Sequence, residues 1–160
     1  MYKALKRLVD IILSSIALII ISPLLIPIMI LLKFTGEGEI WYLQERVGYK
    51  NKNFKIYKFA TMLKDSPNMS GGIITTKRDP RITPMGHFLR KSKINELPQL
   101  INIFLGHMTI IGPRPVMPKS FNAYPESVQK VIYNVVPGLT GIGSIVFRDE
   151  EKLITDVKES

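Results

Sequence analysis

Between Pro80 and Pro125 the sequence holds one acid, Glu96, among Arg81, Arg90, Lys91, Lys93, Arg114 and Lys119. A lone carboxylate ringed by cations suits chemistry on a multiply charged anion. The cations balance charge on the transferring oxygens, and the carboxylate supplies a nucleophile or a metal ligand. Glu96 follows Asn95, a natural helix N-cap, and Pro98 falls where the first turn tolerates a missing N–H. Leu97, Leu100, Ile101, Phe104 and Leu105 recur at helical spacing, with Gly106 as a stop. This pattern predicts a helix running from Asn95 to Leu105. Its positive end would carry Asn95 and Glu96, where phosphate and an ionised carboxylate are favoured. Further on, Gly112-Pro113-Arg114-Pro115 fixes the backbone on both sides of Arg114, as needed to hold a guanidinium against a phosphate or carboxylate. The plainer reading of Asn95-Glu96 is a capped helix with a first-turn glutamate.

The elements that must position these residues lie on either side. Phe54 to Phe59 alternates apolar and polar, which predicts a half-buried strand. Lys55 and Lys58 are oddly spaced, so they fall on opposite faces of it. Glu39 to Val47, with Ile40, Trp41, Tyr42 and Leu43, predicts another strand or an interfacial segment. Its end, Gln44-Glu45-Arg46-Val47-Gly48, is either a strand turning at glycine or a place where Arg46 faces a diphosphate. Leu63 to Gly72 is a polar loop, and Thr83-Pro84 caps a helix carrying His87, Phe88, Leu89 and Arg90. His87 is expected at the surface, with no second metal ligand at suitable spacing. Glu126 to Asn134 predicts a short helix. Pro137-Gly138-Leu139-Thr140-Gly141-Ile142-Gly143 is a glycine loop that either cradles phosphate or simply turns. Arg148-Asp149-Glu150-Glu151 is a solvated cluster with spare carboxylates.

The first segment has a different character. Ile11 to Leu32 carries no charge and exceeds the usual length of a membrane span. Pro23 and Pro27 interrupt it, and Ser22-Pro23 is where a helix should break or kink. Ile11 to Ser22 would cover only about 18 Å of a hydrocarbon core roughly 30 Å thick. Lys3, Lys6 and Arg7 precede the run and Lys33 follows it, so the flanking charges set no direction of crossing. A hairpin that dips in and returns to the same face fits both facts. Met1 to Asp10 then suits a short helix meeting anionic headgroups. A cleaved signal peptide does not fit, because the run is too long and no small-x-small site follows.

The whole chain of 160 residues, with 22 basic against 13 acidic residues and a net charge of +9, is one modest domain with an anionic partner. The absence of cysteine excludes disulfides and thiolate metal sites. Nucleic acid is not expected: the aromatic-basic interleaving of single-strand binders and the DNA-reading motifs are missing. The expected class is α/β (α+β). A re-entrant membrane helix occupies 1–35, and a small helix-rich domain with a short sheet occupies 36–160.

Arg90…Asn95-Glu96-Leu97-Pro98-Gln99-Leu100, followed by Gly112-Pro113-Arg114-Pro115, resembles the bacterial sugar transferases, which are monotopic polyprenyl-phosphate phosphoglycosyl transferases. The stretches at Gln44 to Gly48, Thr76 to Gly86 and Pro137 to Gly141 are similar to the family's as well. Its members carry Asp-Glu-Leu-Pro-Gln-Leu, then Gly-Asp-Met-Ser, then Gly-Pro-Arg-Pro. Here Asn95 replaces the first aspartate and His107 the second, and Ala60 stands where a basic residue is usual.

The resemblance implies transfer of a phospho-sugar from a UDP-sugar to polyprenyl (undecaprenyl) phosphate, initiating a lipid-linked glycan such as an exopolysaccharide. It implies Mg2+, a carboxylate nucleophile and a covalent glycosyl-phosphoryl intermediate. It also implies a helix broken at Ser22 and Pro23, and a monotopic location at the cytoplasmic face of the inner membrane. Members continue into further membrane-surface helices beyond the point where Ser160 falls. Carried onto this sequence, Glu96 takes the catalytic and metal-holding role beside Asn95. Lys58, Arg90 and Arg114 take the phosphates, and Arg46 and Gln44 the nucleotide. Asp149, Glu150 or Glu151 folding back is another source of negative charge. Two points stay open: an inactive relative that serves as a lipid- or nucleotide-binding subunit of a glycan assembly complex, and a homo-oligomeric state.

Overall fold

The computed structural model describes residues 2–66, 69 and 79–141. A long helix, α1 (Tyr2–Phe34), leads into an antiparallel hairpin of β1 (Trp41–Val47) and β2 (Asn53–Phe59). Then come α2 (Pro84–Lys91), α3 (Gln99–Leu105), β3 (Thr109–Ile111), α4 (Pro118–Asn122), α5 (Glu126–Gln129) and β4 (Gly138–Thr140). The mixed α/β character and the apolar first helix agree with expectation.

The expected break at Ser22-Pro23 does not form: α1 is helical through both Pro23 and Pro27. Proline at 23 cannot donate to the carbonyl of residue 19, and Ser22 Oγ donates to Ile19 O instead, at 2.8 Å. The hydroxyl thus satisfies the acceptor that the proline leaves open. Burial along α1 is nevertheless divided. Asp10 and Ser14 are buried near one end and Leu25, Ile28 and Leu32 near the other, with none between. Both ends of the helix rest on the domain while its apolar middle stands clear.

The hairpin pairs Trp41 with Phe59 and Val47 with Asn53, and its turn places Lys50 and Asn51 at positive φ. Three apolar clusters pack around it. Phe59 joins Leu25, Ile28, Leu32 and Leu89. Val47 joins Phe121 and Tyr133, and Ile56 joins Ile103 and Met108. Asn102, fully buried in α3, acts as a further strand for β2. Its Nδ2 donates to Lys55 O at 2.8 Å, and its Oδ1 accepts from Tyr57 N at 2.9 Å. That pair of bonds fixes β2 against α3 just before Lys58.

The predicted helix from Asn95 does not form as one piece. Ile94–Glu96 is a 3-10 turn, and α3 begins at Gln99. Pro98 has no N–H to give the carbonyl of residue 94, so Ile94 O accepts from Leu97 N at 3.1 Å and the turn tightens. Lys93 enters this turn in the left-handed region, at φ 60°, a conformation that costs a non-glycine residue about 1 kcal/mol or more. Gly106 ends α3 at φ 87°, as expected. The predicted helix from Glu126 to Asn134 is also shorter, stopping at Gln129. The chain turns there so that Tyr133 enters the core and its carbonyl accepts from Lys50 N at 2.8 Å.

The glycine loop at Pro137 proves to be a strand partner. β4 runs parallel to β3, pairing Thr109 with Gly138 and Ile111 with Thr140. A Cβ on Gly112 would come within 2.7 Å of Val136 O, and one on Gly138 would collide with the backbone of Gly112. Both glycines allow close backbone approach, which seats the Pro113-Arg114-Pro115 loop.

Candidate active site

Near the end of β2, Lys58 points away from exposed Lys55, as the spacing requires. Its Nζ lies 3.2 Å from Glu96 Oε1, with side chains 15% and 34% exposed. Burial pushes the Lys58 ammonium below the ordinary lysine value, and the charges of Arg46 and Arg114 act the same way against the pull of Glu96. Burial works to raise Glu96. The Lys58 charge, its hydrogen bond, Arg114 and Lys93 together outweigh that and hold the carboxyl below its usual range. Glu96 is therefore ionised at neutral pH, at the rim of a cluster rich in positive charge.

Arg46 completes the cluster. Its Nη2 donates to Gln44 Oε1 at 2.6 Å and its Nη1 to Pro115 O at 3.2 Å. Burial, with nearby Arg114, lowers its affinity for a proton. Gln44 Nε2 lies 3.4 Å from Met117 Sδ, so both β1 side chains reach the loop that carries Arg114. Two buried polar atoms here have no hydrogen-bond partner, Arg46 Nε and Asn95 Oδ1. One is a donor suited to an anionic oxygen; the other is an acceptor suited to a hydroxyl or a cation.

Sequence reasoning missed the residue that sets this loop. Tyr133 is 1% exposed, and its hydroxyl donates to Arg114 O at 2.9 Å while accepting from Val116 N at 3.0 Å. It spans Pro115, whose missing N–H leaves the loop short of bonds. No local motif announces the role; the one available signal was an aromatic residue four positions before a Pro-Gly turn. Tyr133→Phe leaves a buried N–H and C=O unpaired and should cost about 1–3 kcal/mol. Thermal melts should move down by several degrees.

The other residues singled out in the sequence take varied positions. Arg90, in the last turn of α2, adds its charge to the groups that hold the Asp79 carboxyl below its usual range. Asp79 in turn holds Arg81 in a buried ion pair, 2.6 Å between Oδ2 and Nη2. Asn95 caps no helix, and its orphaned Oδ1 is buried. His107 is exposed, its ring 5.9 Å from that of Phe54, and His87 is exposed as expected. Ala60 lines a separate groove of about 600 Å³ with Leu32, Met62, Met85 and Phe88. Asp149, Glu150, Glu151, Lys77, Arg78 and Gly143 lie outside the described residues.

Among the described residues no group of three or more acidic or histidine side chains gathers. Asn95 Oδ1 and a Glu96 carboxylate oxygen are nevertheless a fitting protein share for magnesium, which takes one or two such ligands and completes its shell with water and substrate phosphate. The unpartnered amide oxygen is the observation that makes this fit.

Comparison with known proteins adds the family. The bacterial sugar transferase family matches residues 1–159. The exopolysaccharide production protein ExoY of Sinorhizobium fredii is 37% identical over 95% of this chain and 73% of its own length. The UDP-glucose:undecaprenyl-phosphate glucose-1-phosphate transferase of Klebsiella pneumoniae is 39% identical over 88% of this chain and 30% of its own. The undecaprenyl-phosphate glucose phosphotransferase of Komagataeibacter xylinus is 33% identical over 91% of this chain, again 30% of its own. With Glu96, Lys58, Arg46 and the Gly-Pro-Arg-Pro loop brought together, and with these matches, the chain belongs to the bacterial sugar transferases and is a phosphoglycosyl transferase.

Proposed function

We propose that this chain transfers a sugar 1-phosphate from a UDP-sugar to undecaprenyl phosphate at the cytoplasmic face of the inner membrane, starting a lipid-linked glycan such as an exopolysaccharide. One observation carries the reading. Lys58, Arg46 and Arg114 surround a single carboxylate and leave an excess of positive charge that a diphosphate balances. The relatives' names, two with undecaprenyl phosphate as acceptor and one with UDP-glucose as donor, support the choice of substrates.

In this reading the Glu96 carboxylate attacks the phosphorus that bears the sugar. The bond from that phosphorus to the UMP oxygen breaks, and UMP leaves with the electron pair. A phosphate oxygen of the lipid then attacks the same phosphorus, expelling the carboxylate and forming the sugar–diphosphate–lipid. Arg114 and Arg46 hold the non-bridging oxygens, with Arg46 Nε as the spare donor, and Lys58 keeps Glu96 ionised between turnovers. The Asn95 amide is too weak a nucleophile for the first step. Asn95 Oδ1 and Glu96 would hold Mg2+, which when bound supplies further positive charge to the diphosphate.

The character of α1 supports a membrane placement. Its apolar middle stands clear of the domain, and cations flank both ends. A re-entrant helix satisfies both, presenting the lipid phosphate to the domain from one face.

The test is the purified chain in nanodiscs with undecaprenyl phosphate and radiolabelled UDP-sugars. The expected result is organic-soluble label with matching release of UMP. Nucleotide binding without lipid-linked product from any UDP-sugar would overturn the transferase reading and leave a binding subunit.

A further inference from the structure

We propose that the globular domain makes a membrane contact of its own, through a patch of Phe104, Leu105 and Ile111 that sits in the headgroup region of an anionic bilayer. The inference rests on the membrane reading above and adds to it a surface outside the apolar helix.

These three side chains are 46%, 51% and 66% exposed, and they lie together where the domain meets the start of α1. Their place in the fold says what covers them. The first turns of α1 are fastened to the same corner of the domain. The Arg7 guanidinium donates to Ile103 O and Phe104 O at 2.5 and 2.6 Å, where α3 ends at Gly106. Lys6 Nζ donates to Ile111 O at 3.0 Å. Asp10 accepts from Thr109 Oγ1 at 2.7 Å and from Ile110 N at 3.1 Å. The corner from residue 103 to 111 is thus locked to the start of α1 by five side-chain hydrogen bonds.

Leu5, Leu8, Val9 and Ile12, in those same turns of α1, are exposed as well. The patch therefore continues the apolar surface of the membrane helix onto α3 and β3. The charge around it matches an anionic bilayer. Lys3, Lys6 and Arg7 are the charged residues of these turns apart from Asp10, which is buried and bonded. An apolar strip bordered by cations settles about 5–10 Å into the boundary between headgroups and acyl chains. In that position α3 lies at a fixed depth, and Glu96, just before it, meets the lipid phosphate at the height where phosphates lie.

The chain has no cysteine, so single cysteines can be introduced and labelled without a background. Leu105→Cys, Ile111→Cys, Val131→Cys and Ile19→Cys, each carrying an environment-sensitive fluorophore, are reconstituted as the full chain in phosphatidylglycerol–phosphatidylethanolamine vesicles. Labels at 105 and 111 should shift to the blue, resist aqueous iodide and lose emission to a doxyl group placed high on the acyl chain. The label at 131, on an exposed valine beyond α5, should be quenched by iodide only. The label at 19 should respond to a deeply placed doxyl group. Labels at 105 and 111 open to iodide, or shielded from both iodide and lipid, overturn the patch while lipid quenching at 19 preserves the membrane reading. Loss of lipid quenching at 19 overturns the membrane reading itself, and the patch with it.

Discussion

Glu96→Gln is expected to abolish transfer, by roughly 10³-fold or more in kcat, with nucleotide binding retained. The amide is nearly isosteric and keeps a hydrogen bond to Lys58, but it cannot form an acyl phosphate or stand as an anion among three cations. The cost in stability is modest. The pair is partly solvated, and its loss should cost about 1–2 kcal/mol after screening. Asn95→Asp is the informative companion. With Glu96 as the nucleophile, the wild-type chain turns over, and Asn95→Asp remains dependent on Glu96. Transfer found only in Asn95→Asp, and surviving Glu96→Gln in that background, would assign the attack to position 95 instead. Both are read from lipid-linked product and UMP release in one nanodisc assay.

Lys58→Met should produce the second-largest change, visible in both binding and pH dependence. Removing one charge-assisted contact is worth about 1.5–3 kcal/mol, so UDP-sugar should bind roughly 10–100-fold more weakly by calorimetry. The pH effect has a definite sign. In the wild type, the folded Glu96 carboxyl lies below its unfolded value near 4.3, so its stabilising contribution is present above that pH and disappears as pH falls through the folded value. Without Lys58, burial outweighs much of the remaining attraction and the folded value rises. Melting temperatures that climb with pH through the carboxylate range in the wild type should climb less, or fall, in the variant. At the alkaline end the wild-type Lys58 releases its proton below the free-lysine value of about 10.4. In that window the unfolded chain binds more protons, so stability rises with pH while diphosphate affinity falls. The variant should show neither limb.

The chemistry-bearing set was largely readable along the chain because cations and prolines announce themselves by type. Glu96 stands as one acid among many bases, and Arg114 stands between two prolines, whatever the fold. Strand alternation also settled that Lys55 and Lys58 part company, since a period of two admits no other outcome. The length and hydropathy of 11–32 marked an apolar helix in the same way, though not that it would stay helical through Pro23 and Pro27, where Ser22 Oγ takes up the open carbonyl. Arg90 could not be placed so, because charge type says nothing about which of several acids an arginine acts on; in the fold its charge reaches Asp79.

Tertiary structure alone decided how the site is held together. Asn102 bonds to Lys55 and Tyr57, more than forty positions away, and Tyr133 braces Pro115 from a segment with no motif of its own. Side-chain to backbone bonds of that kind depend on which elements meet, and a linear pattern carries no record of the meeting. The same holds for Gly138, which could belong to a phosphate loop in sequence and in space passes too close to the backbone of Gly112 for a Cβ. Local pattern determined which residues can do chemistry on a phosphate; packing between distant segments determined which of them face the same substrate.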